Sequence, residues 1–496
     1  MAISAWYRRS PFLSRRFLWV YVLLGLLFAA LAIQPIYQPD FWWHVKVGEI
    51  ILIEHTVPQQ DLFSCTVPGR DFIYQSWLAG VLLALLYHAG GAGLVILANS
   101  LLLTAAYGLL LWHCAVEGRN IRLAVAATFA ALVVSAGNWA VRPQTFSVAL
   151  FVSLYVLVDR YRAGKRSPLW LLPLLLALWA NLHGAFITGL AVLLIVLAAE
   201  VGKRFLPGRP FPSMPWSRLG WLALVALLSC AAPLLNPVGP RIWTYVLGIW
   251  SNPAIRELIA EWRPVSSEAG TSAIFIFSLL AVPSLATWRR RLPDPTDLLL
   301  IAATAWLAIG AVRNLLWYGL VLAPALIRVL VGKKDEPEQP PILALHLTTL
   351  LSIVLLTVLC LPWTKGALPL PAPLRGFYAA DTPVATAEYV AKNERAGPLF
   401  HRMENGSYLL WRLSPRFQVF IDPRIELYPR EVWQDYLDLS AGRANYQEVL
   451  DRYGIRLLLL SRTSQAGLVA QVQASPLWEQ VYENAAEDTI VFRRRE

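Results

Sequence analysis

Four stretches of this chain, Phe17 to Ile36, Leu94 to Trp112, Leu219 to Leu235 and Ile342 to Pro362, run without a single Lys, Arg, Asp or Glu. Each is long enough, or nearly so, to cross about 30 Å of hydrocarbon as an α-helix rising 1.5 Å per residue. A soluble core has no use for so many of them. Charged residues make up 15% of the 496 positions, against about a quarter in an average soluble domain, and the deficit is concentrated in these runs. The opening MAISAWYRRSPFLSRRF has the basic start of a secretion signal. The apolar run behind it is too long and lacks a small-residue cleavage site, so it reads as an uncleaved first helix.

The net charge of +11 does not indicate nucleic acid, because the cations sit in short connections and not on one basic face. They report topology instead. Arg8, Arg9, Arg15 and Arg16 precede the first apolar run. Arg160, Arg162, Lys165 and Arg166 form one later cluster, Lys203 to Arg218 another, Arg289 to Arg291 a third, and Lys333 with Lys334 a fourth. By the positive-inside rule all of these are cytoplasmic, in a multi-pass protein of the cytoplasmic membrane with its N-terminus inside. Cys65, Cys114, Cys230 and Cys360 are scattered without a CxxC pair, which indicates neither a disulfide framework nor a zinc site.

Apolar periodicity predicts helices near 17–36, 76–89, 92–112, 122–137, 145–159, 168–180, 185–201, 218–235, 271–287, 296–311, 315–331 and 342–362. The basic clusters then put Trp139 to Gln144, Asn181 to Gly184, Asn236 to Pro264, Arg313 with Asn314, and everything after Pro362 on the outer face. Twelve full crossings from a cytoplasmic start would instead return the tail to the cytoplasm. Either the segment 76–89, about 21 Å long as a helix, is only a half-crossing, or one further helix is hidden. The expected architecture is therefore a polytopic α-helical bundle of about 11–13 transmembrane helices over residues 1–365, with a first outer loop at 37–75.

From residue 366 the pattern becomes that of a soluble α/β domain. PLFHRM, QVFID, IRLLLLS, WEQVY and DTIVFRR read as strands. Tyr408 to Leu413, Glu431 to Leu439, Tyr446 to Tyr453 and Leu468 to Ala474 read as helices between them. At about 120 residues it is large enough to bury its own core. It has no glycine-rich phosphate loop, and its plainest reading is a lid or docking module.

The outer loop QPDFWWHVKVGEIILIEHTVPQQDLFSCTVPGRDFIYQSWL is the richest in chemistry. A helix over 40–55 places Asp40, His44, Gly48 and His55 on one stripe, with Trp42, Trp43 and apolar residues around the remainder. Such a helix lies in the interface, its polar stripe facing headgroups or a protein cavity. Arg142 in VRPQ, Asn181 and His183 in WANLHG, Asn236 in NPVGPR, Glu261 in EWRP, and Arg313 with Asn314 all end apolar segments at that same surface. Singly, each reads as a snorkelling cation, a cap or a turn. Together they supply a base, cations for a phosphate and an interface that admits a lipid tail. A facial metal site of Asp40, His44 and His55 stays open, so a divalent cation is a possible cofactor.

DFWWHVKVGE, then VPQQDLFSCT, RPQTFS, WANLHGAF and VFIDPRIELYP make the chain from about Pro39 onward resemble a bacterial family of membrane proteins assigned to the GT-C glycosyltransferase superfamily. The resemblance implies a GT-C fold, a catalytic Asp in the first outer loop, interfacial helices in that loop, a lipid-phosphate sugar donor and a variable periplasmic C-terminal domain. The first-loop Asp falls on Asp40 and a second acidic position on Asp61, with His44 as the remaining catalytic candidate. Relatives often carry an acidic residue just before the TrpLeu that opens the next helix, where this chain has Gln75 and Ser76. The paired acidic motif of protein O-mannosyltransferases is absent.

The implied partners are a polyprenyl-phosphate sugar donor, membrane lipid and a glycan, lipid or protein acceptor. The donor would keep its tail in the bilayer, its phosphate meeting Arg142, Arg313 or His183 with Asn181 and Glu261 nearby, while Asp40 removes the acceptor's proton. Attack from the opposite face inverts the anomeric centre. The rival class is a non-catalytic transporter of lipid-linked saccharides, or a scaffold that docks through its outer domain.

Overall fold

A computed structural model describes residues 15–37, 40–207, 211–252, 255, 257, 259–267, 269–330, 343–443 and 445–495. Arg8 and Arg9 of the basic start, Pro39 of the first loop, Lys333 with Lys334, and Ile342 at the head of the last apolar run lie outside the described residues.

The apolar runs fold as helices: α1 (Arg15–Ala32), α3 (Trp77–Gly118), α4 (Ile121–Ser135), α5 (Gln144–Arg162), α6 (Leu171–Leu182), α7 (Phe186–Gly202), α8 (Trp216–Ala231), α10 (Ala269–Arg289), α11 (Pro295–Gly310), α12 (Leu315–Leu330) and α13 (Leu343–Leu359). Two further helices, α2 (Phe41–Glu54) and α9 (Arg241–Ser251), belong to the connections. Local chemistry sets several ends. Asn120 accepts from the Leu123 N–H at 3.0 Å, and Asp294 accepts from the Thr296 N–H at 2.9 Å with Pro295 in the first turn. The stretch Val312–Leu330 has 83% of its apolar window buried, against 17% for Gly270–Arg289, so α12 is the central helix and α10 is peripheral.

The helices run between two polar surfaces. At one, Asp159 pairs with Arg328 (3.0 Å), Asp297 with Arg162 (2.7 Å) and Arg328 (2.6 Å), and Lys203 with Glu200 (2.7 Å) and Asp294 (2.8 Å). Here Arg162 and Lys203, from two of the clusters predicted to be cytoplasmic, lie in one network. The other surface gathers Asp40, His183, Arg313 and the sheet domain around one cavity.

The helix is interrupted at Gly90 and Gly91, between the predicted segments 76–89 and 92–112. These residues leave helical geometry, Gly91 with φ of +62°, a value that only glycine adopts without strain. Before the break, Trp77 Nε1 donates to Asn181 Oδ1 at 2.7 Å, and Tyr87 OH lies 3.1 Å from Tyr378 OH of the sheet domain. Both ends of residues 77–89 therefore lie on the domain-bearing surface, the placement that the half-crossing alternative expects. Helix α2 lies along this half-crossing: a methyl on Gly48 would run into the Gly80 carbonyl, and one on Gly80 would sit 2.7 Å from the His44 carbonyl oxygen.

Every predicted strand of the tail is present: β1 (Gly397–His401), β2 (Phe417–Val419), β3 (Leu457–Ser461), β4 (Trp478–Asn484) and β5 (Thr489–Arg494). They form one sheet in the order β2-β1-β3-β5-β4, with β2, β1 and β3 parallel and β5 and β4 antiparallel. Its core is not its own. The Val419 N–H donates to the Phe63 carbonyl at 3.0 Å and the Cys65 N–H to the Val419 carbonyl at 2.9 Å, so the first loop extends the sheet past β2. Trp42 of α2 is fully buried against Tyr408 and Trp411, and Phe41, Phe63 and Phe72 join the same apolar cluster as Phe400 and Leu458. The sequence-level picture of a tail that closes its own core is revised on this point.

Single cysteines in a background without the native four test the half-crossing. Positions 88 and 443, where the native His88 and Arg443 side chains are 59% and 61% exposed, should be labelled from one side of sealed vesicles, and exposed position 166 from the other. Labelling of 88 and 443 from opposite sides would make residues 77–89 a full crossing.

Candidate active site

Asp40 occupies the turn before α2, in the N-cap position, yet its carboxylate makes no cap hydrogen bond. It lines a cavity of about 200 Å³ between the bundle and the sheet domain, together with His44, His183, Arg313 and Glu426. Its side chain is 36% exposed, into this cavity. Burial raises the carboxyl above its ordinary range, and the charge on Arg142, 3.9 Å away, pulls in the other direction.

Arg142 sits in the turn ahead of α5, where Pro143 takes the N-cap position. Its Nη1 donates to both oxygens of Glu261, at 2.8 and 2.9 Å. Burial opposes ionisation of Glu261, but Arg142 and Arg313 hold its carboxyl below the usual range. The Nε and Nη2 of Arg142 are buried without a hydrogen-bond partner. A guanidinium in that condition is poised for an anionic partner. Arg313 stacks on Trp262, 4.6 Å from the ring centre, and reaches Gln144 Oε1 at 3.4 Å.

The two histidines are neutral donors or acceptors. Burial, with the Arg424 charge behind it, pushes His44 down to about 3. His183 Nδ1 accepts from the Ala185 N–H at 3.3 Å and lies 2.9 Å from Ser147 Oγ, which itself accepts from Trp179 Nε1 at 2.7 Å. That chain makes Ser147 the donor to Nδ1 and places the ring proton on Nε2.

Other predicted residues have different roles. Asp61 does not line the cavity. It is buried and pairs through Oδ1 with Arg424 Nη2 at 2.6 Å, while Oδ2 accepts from the Ser64 N–H at 3.0 Å. It anchors the domain and is not placed to act as a second base. Asn181 is structural as well, accepting from Trp77 and donating to the Ala177 carbonyl at 2.8 Å. His55 is exposed in the left-handed C-cap of α2, φ 56°, about 20 Å along the helix from Asp40, so a site of Asp40, His44 and His55 does not assemble. Among the described residues, His113, Glu117 and Asp159 have ligand atoms within 4.8 Å of one another, but at the other surface, where Arg328, Arg162 and Lys165 occupy the carboxylates.

The residue missed from the sequence is Glu426. It accepts from Tyr245 OH of α9 at 2.8 Å and brings a second carboxylate to the cavity from the sheet domain. Its signal was in VFIDPRIELYP, where Ile425 and Leu427 are buried and Glu426 between them is only partly so. Strand reading stopped short of it.

No protein-family model matches the chain, and no curated protein matches it by sequence. Solved structures do. The archaeal oligosaccharyltransferase AglB from Archaeoglobus fulgidus, in complex with an inhibitory peptide and a dolichol-phosphate, superposes with a TM-score of 0.54 at 12% identity, covering 98% of this chain and 75% of that one. The arabinofuranosyltransferase AftD from Mycobacteria gives 0.56 at 16%, covering 97% and 40%. Apo ArnT from Cupriavidus metallidurans gives 0.51 at 13%, covering 99% and 98%. The chain has the GT-C membrane fold.

Asp61→Ala should cost about 1–3 kcal/mol, because it leaves buried donors on Arg424 and the Ser64 N–H without their acceptor while Asp422 still pairs with Arg424. Asp40→Asn should leave stability within about 0.5 kcal/mol, since Asp40 bears no comparable buried pair. Denaturant titration of the detergent-solubilised protein separates the two; equal losses would make Asp40 an anchor too.

Proposed function

We propose that this protein is an inverting membrane glycosyltransferase that moves a sugar from a polyprenyl-phosphate-linked donor to an acceptor at the outer face of the cytoplasmic membrane, with residues 366–496 as its periplasmic domain. The observation that carries the reading is an uncapped carboxylate on Asp40 that lines one cavity with Arg313 and lies 3.9 Å from Arg142 of the Arg142–Glu261 pair. Support also comes from the shared fold and from the dolichol-phosphate held by the archaeal neighbour.

In this mechanism the prenyl tail stays in the bilayer and the phosphate is bound by Arg313 and Arg142. Asp40 accepts the acceptor hydroxyl's proton as its oxygen attacks the anomeric carbon. The bond from that carbon to the phosphate oxygen breaks, and its electron pair leaves with the prenyl phosphate, where the arginines stabilise the growing charge. The raised Asp40 carboxyl suits a base that must take a proton from a neutral hydroxyl. His183 Nε2–H supplies a neutral hydrogen bond to either substrate. No step in this mechanism is routed through Asp40, His44 and His55 as a metal set.

Asp40→Asn should lower transfer by about 10²- to 10⁴-fold, as loss of general-base help does, with donor affinity nearly unchanged. Arg313→Ala should weaken donor binding by about 1.5–3 kcal/mol. Asp40 acts unprotonated, so activity should rise with pH through its raised pKa, and Arg142→Ala, which removes a lowering charge, should move that limb to higher pH. Transfer from a synthetic prenyl-phosphate sugar, beside a separate donor-binding assay, measures all three. Retained transfer in Asp40→Asn would remove Asp40 as the base.

A further inference from the structure

The turn Asp422-Pro423-Arg424 of the sheet domain is tied down by a dense set of buried hydrogen bonds. Arg424 Nε donates to Asp422 Oδ1 at 2.8 Å, and its Nη2 donates to Asp422 Oδ2 and Asp61 Oδ1, both at 2.6 Å. Its Nη1 donates to Tyr74 OH at 3.0 Å, and Tyr428 OH donates to Asp422 Oδ2 at 2.7 Å. Ile425 and Leu427 point into the apolar core, 2% and 1% exposed. Between these fixed neighbours one side chain, Glu426, reaches the cavity. The Nε, Nη1 and Nη2 of Arg424 already have partners in Asp422, Tyr74 and Asp61, and none of these hydrogen bonds goes to Glu426.

The wall around Glu426 is distinctive. Tyr245, Trp250 and Trp262 line the same cavity, and Trp43 closes it beside Asp40, stacked on His44 with ring centres 3.5 Å apart. A carboxylate beside a phenol hydroxyl, among aromatic rings, suits a ligand with adjacent hydroxyls and an apolar ring face. The carboxylate takes two hydroxyl donors at once and the rings cover the C–H face. The phosphate-binding cations Arg142 and Arg313 belong to a separate pair around Glu261. The cavity thus offers Arg313 to an anion and Glu426 with Tyr245 to hydroxyls, and Asp40 lines it as well.

We propose that Glu426, with Tyr245, binds a saccharide acceptor through adjacent hydroxyls, so that the sheet domain supplies the acceptor subsite and the acceptor is a glycan and not a protein side chain. This rests on the glycosyltransferase reading. Burial also pushes the Glu426 carboxyl above its ordinary range, with the Asp40 charge adding to the effect. In either protonation state it pairs with hydroxyls, accepting from them or donating to them.

The test uses the full chain in lipid nanodiscs and two probes. Saturation-transfer NMR reads binding of the methyl pyranosides of glucose, galactose and mannose, with tetrahydropyran as a ring lacking hydroxyls. Calorimetry reads binding of undecaprenyl phosphate. At least one methyl glycoside should bind the native protein and tetrahydropyran should not. E426Q should weaken that glycoside about tenfold, as loss of hydrogen bonds to a charged group does; Y245F should weaken it less, and undecaprenyl phosphate should bind E426Q as it binds the native chain. If E426Q is not recovered folded, the comparison is read on E426D, which keeps the charge and shortens the arm. Glycoside binding by E426Q equal to the native protein's, or none by the native protein, overturns the acceptor subsite and leaves the glycosyltransferase reading standing if undecaprenyl phosphate still binds. Failure of the native protein to bind undecaprenyl phosphate overturns that reading and this inference with it.

Discussion

Arg424 is fully buried, and the arrangement of the outer face depends on how its charge is met. Taking a guanidinium out of water costs several kcal/mol even after relaxation. Asp422 comes from its own turn, Asp61 from the first loop and Tyr74 from the same loop further on. Asp422 meets the charge from within the domain, and the donors aimed at Asp61 Oδ1 and Tyr74 OH are satisfied when the loop and the sheet domain are docked. With that contact made, Phe63 to Cys65 lie along β2, α2 is trapped between the domain and the half-crossing, and Asp40 at its head enters the cavity. Glu426, two residues beyond Arg424, enters the same cavity from the other side.

The opposite surface solves a different problem with similar chemistry. Apolar helices in lipid have little directional preference, so polar contacts at their ends contribute strongly to register. Asp159, Asp297, Arg162 and Arg328 join α5, α11 and α12, and Lys203 brings α7 to Glu200 and Asp294. In that network the carboxylates are matched by cations. Around Arg142 the cation's own donors are left over: one nitrogen serves Glu261 and the other two are buried without hydrogen-bond partners. The difference distinguishes a structural cluster from a candidate binding site better than charge alone does.

Much of the fold was legible because its signals are local. Apolar runs marked the helices, basic clusters grouped their ends, and the strands of the tail announced themselves by short β-branched and leucine-rich stretches between turns. Residues 76–89 were harder, since a short apolar helix has one composition whether it crosses a bilayer or lies along its surface. Gly90 and Gly91 were the available clue. Among the candidate site residues, Asp40, His44, His183 and Arg313 line one cavity, whereas Arg142 and Glu261 stand outside its lining. Asp61 and Asn181 were drawn to it by residue type, but their partners, Arg424 and Trp77, lie far away in sequence.

The amino-acid order alone determined that this chain makes a helical bundle with a mixed α/β tail, and that its polar residues divide between two surfaces. Those properties follow from hydrophobicity and period, which act over one or two helical turns. Tertiary structure decided which polar residues face a cavity and which neutralise each other. That choice turns on long-range pairs such as Asp61 with Arg424 and Arg142 with Glu261. A carboxylate's role, whether base, anchor or counter-ion, is set by the few ångströms around it, and those neighbours come from distant parts of the chain.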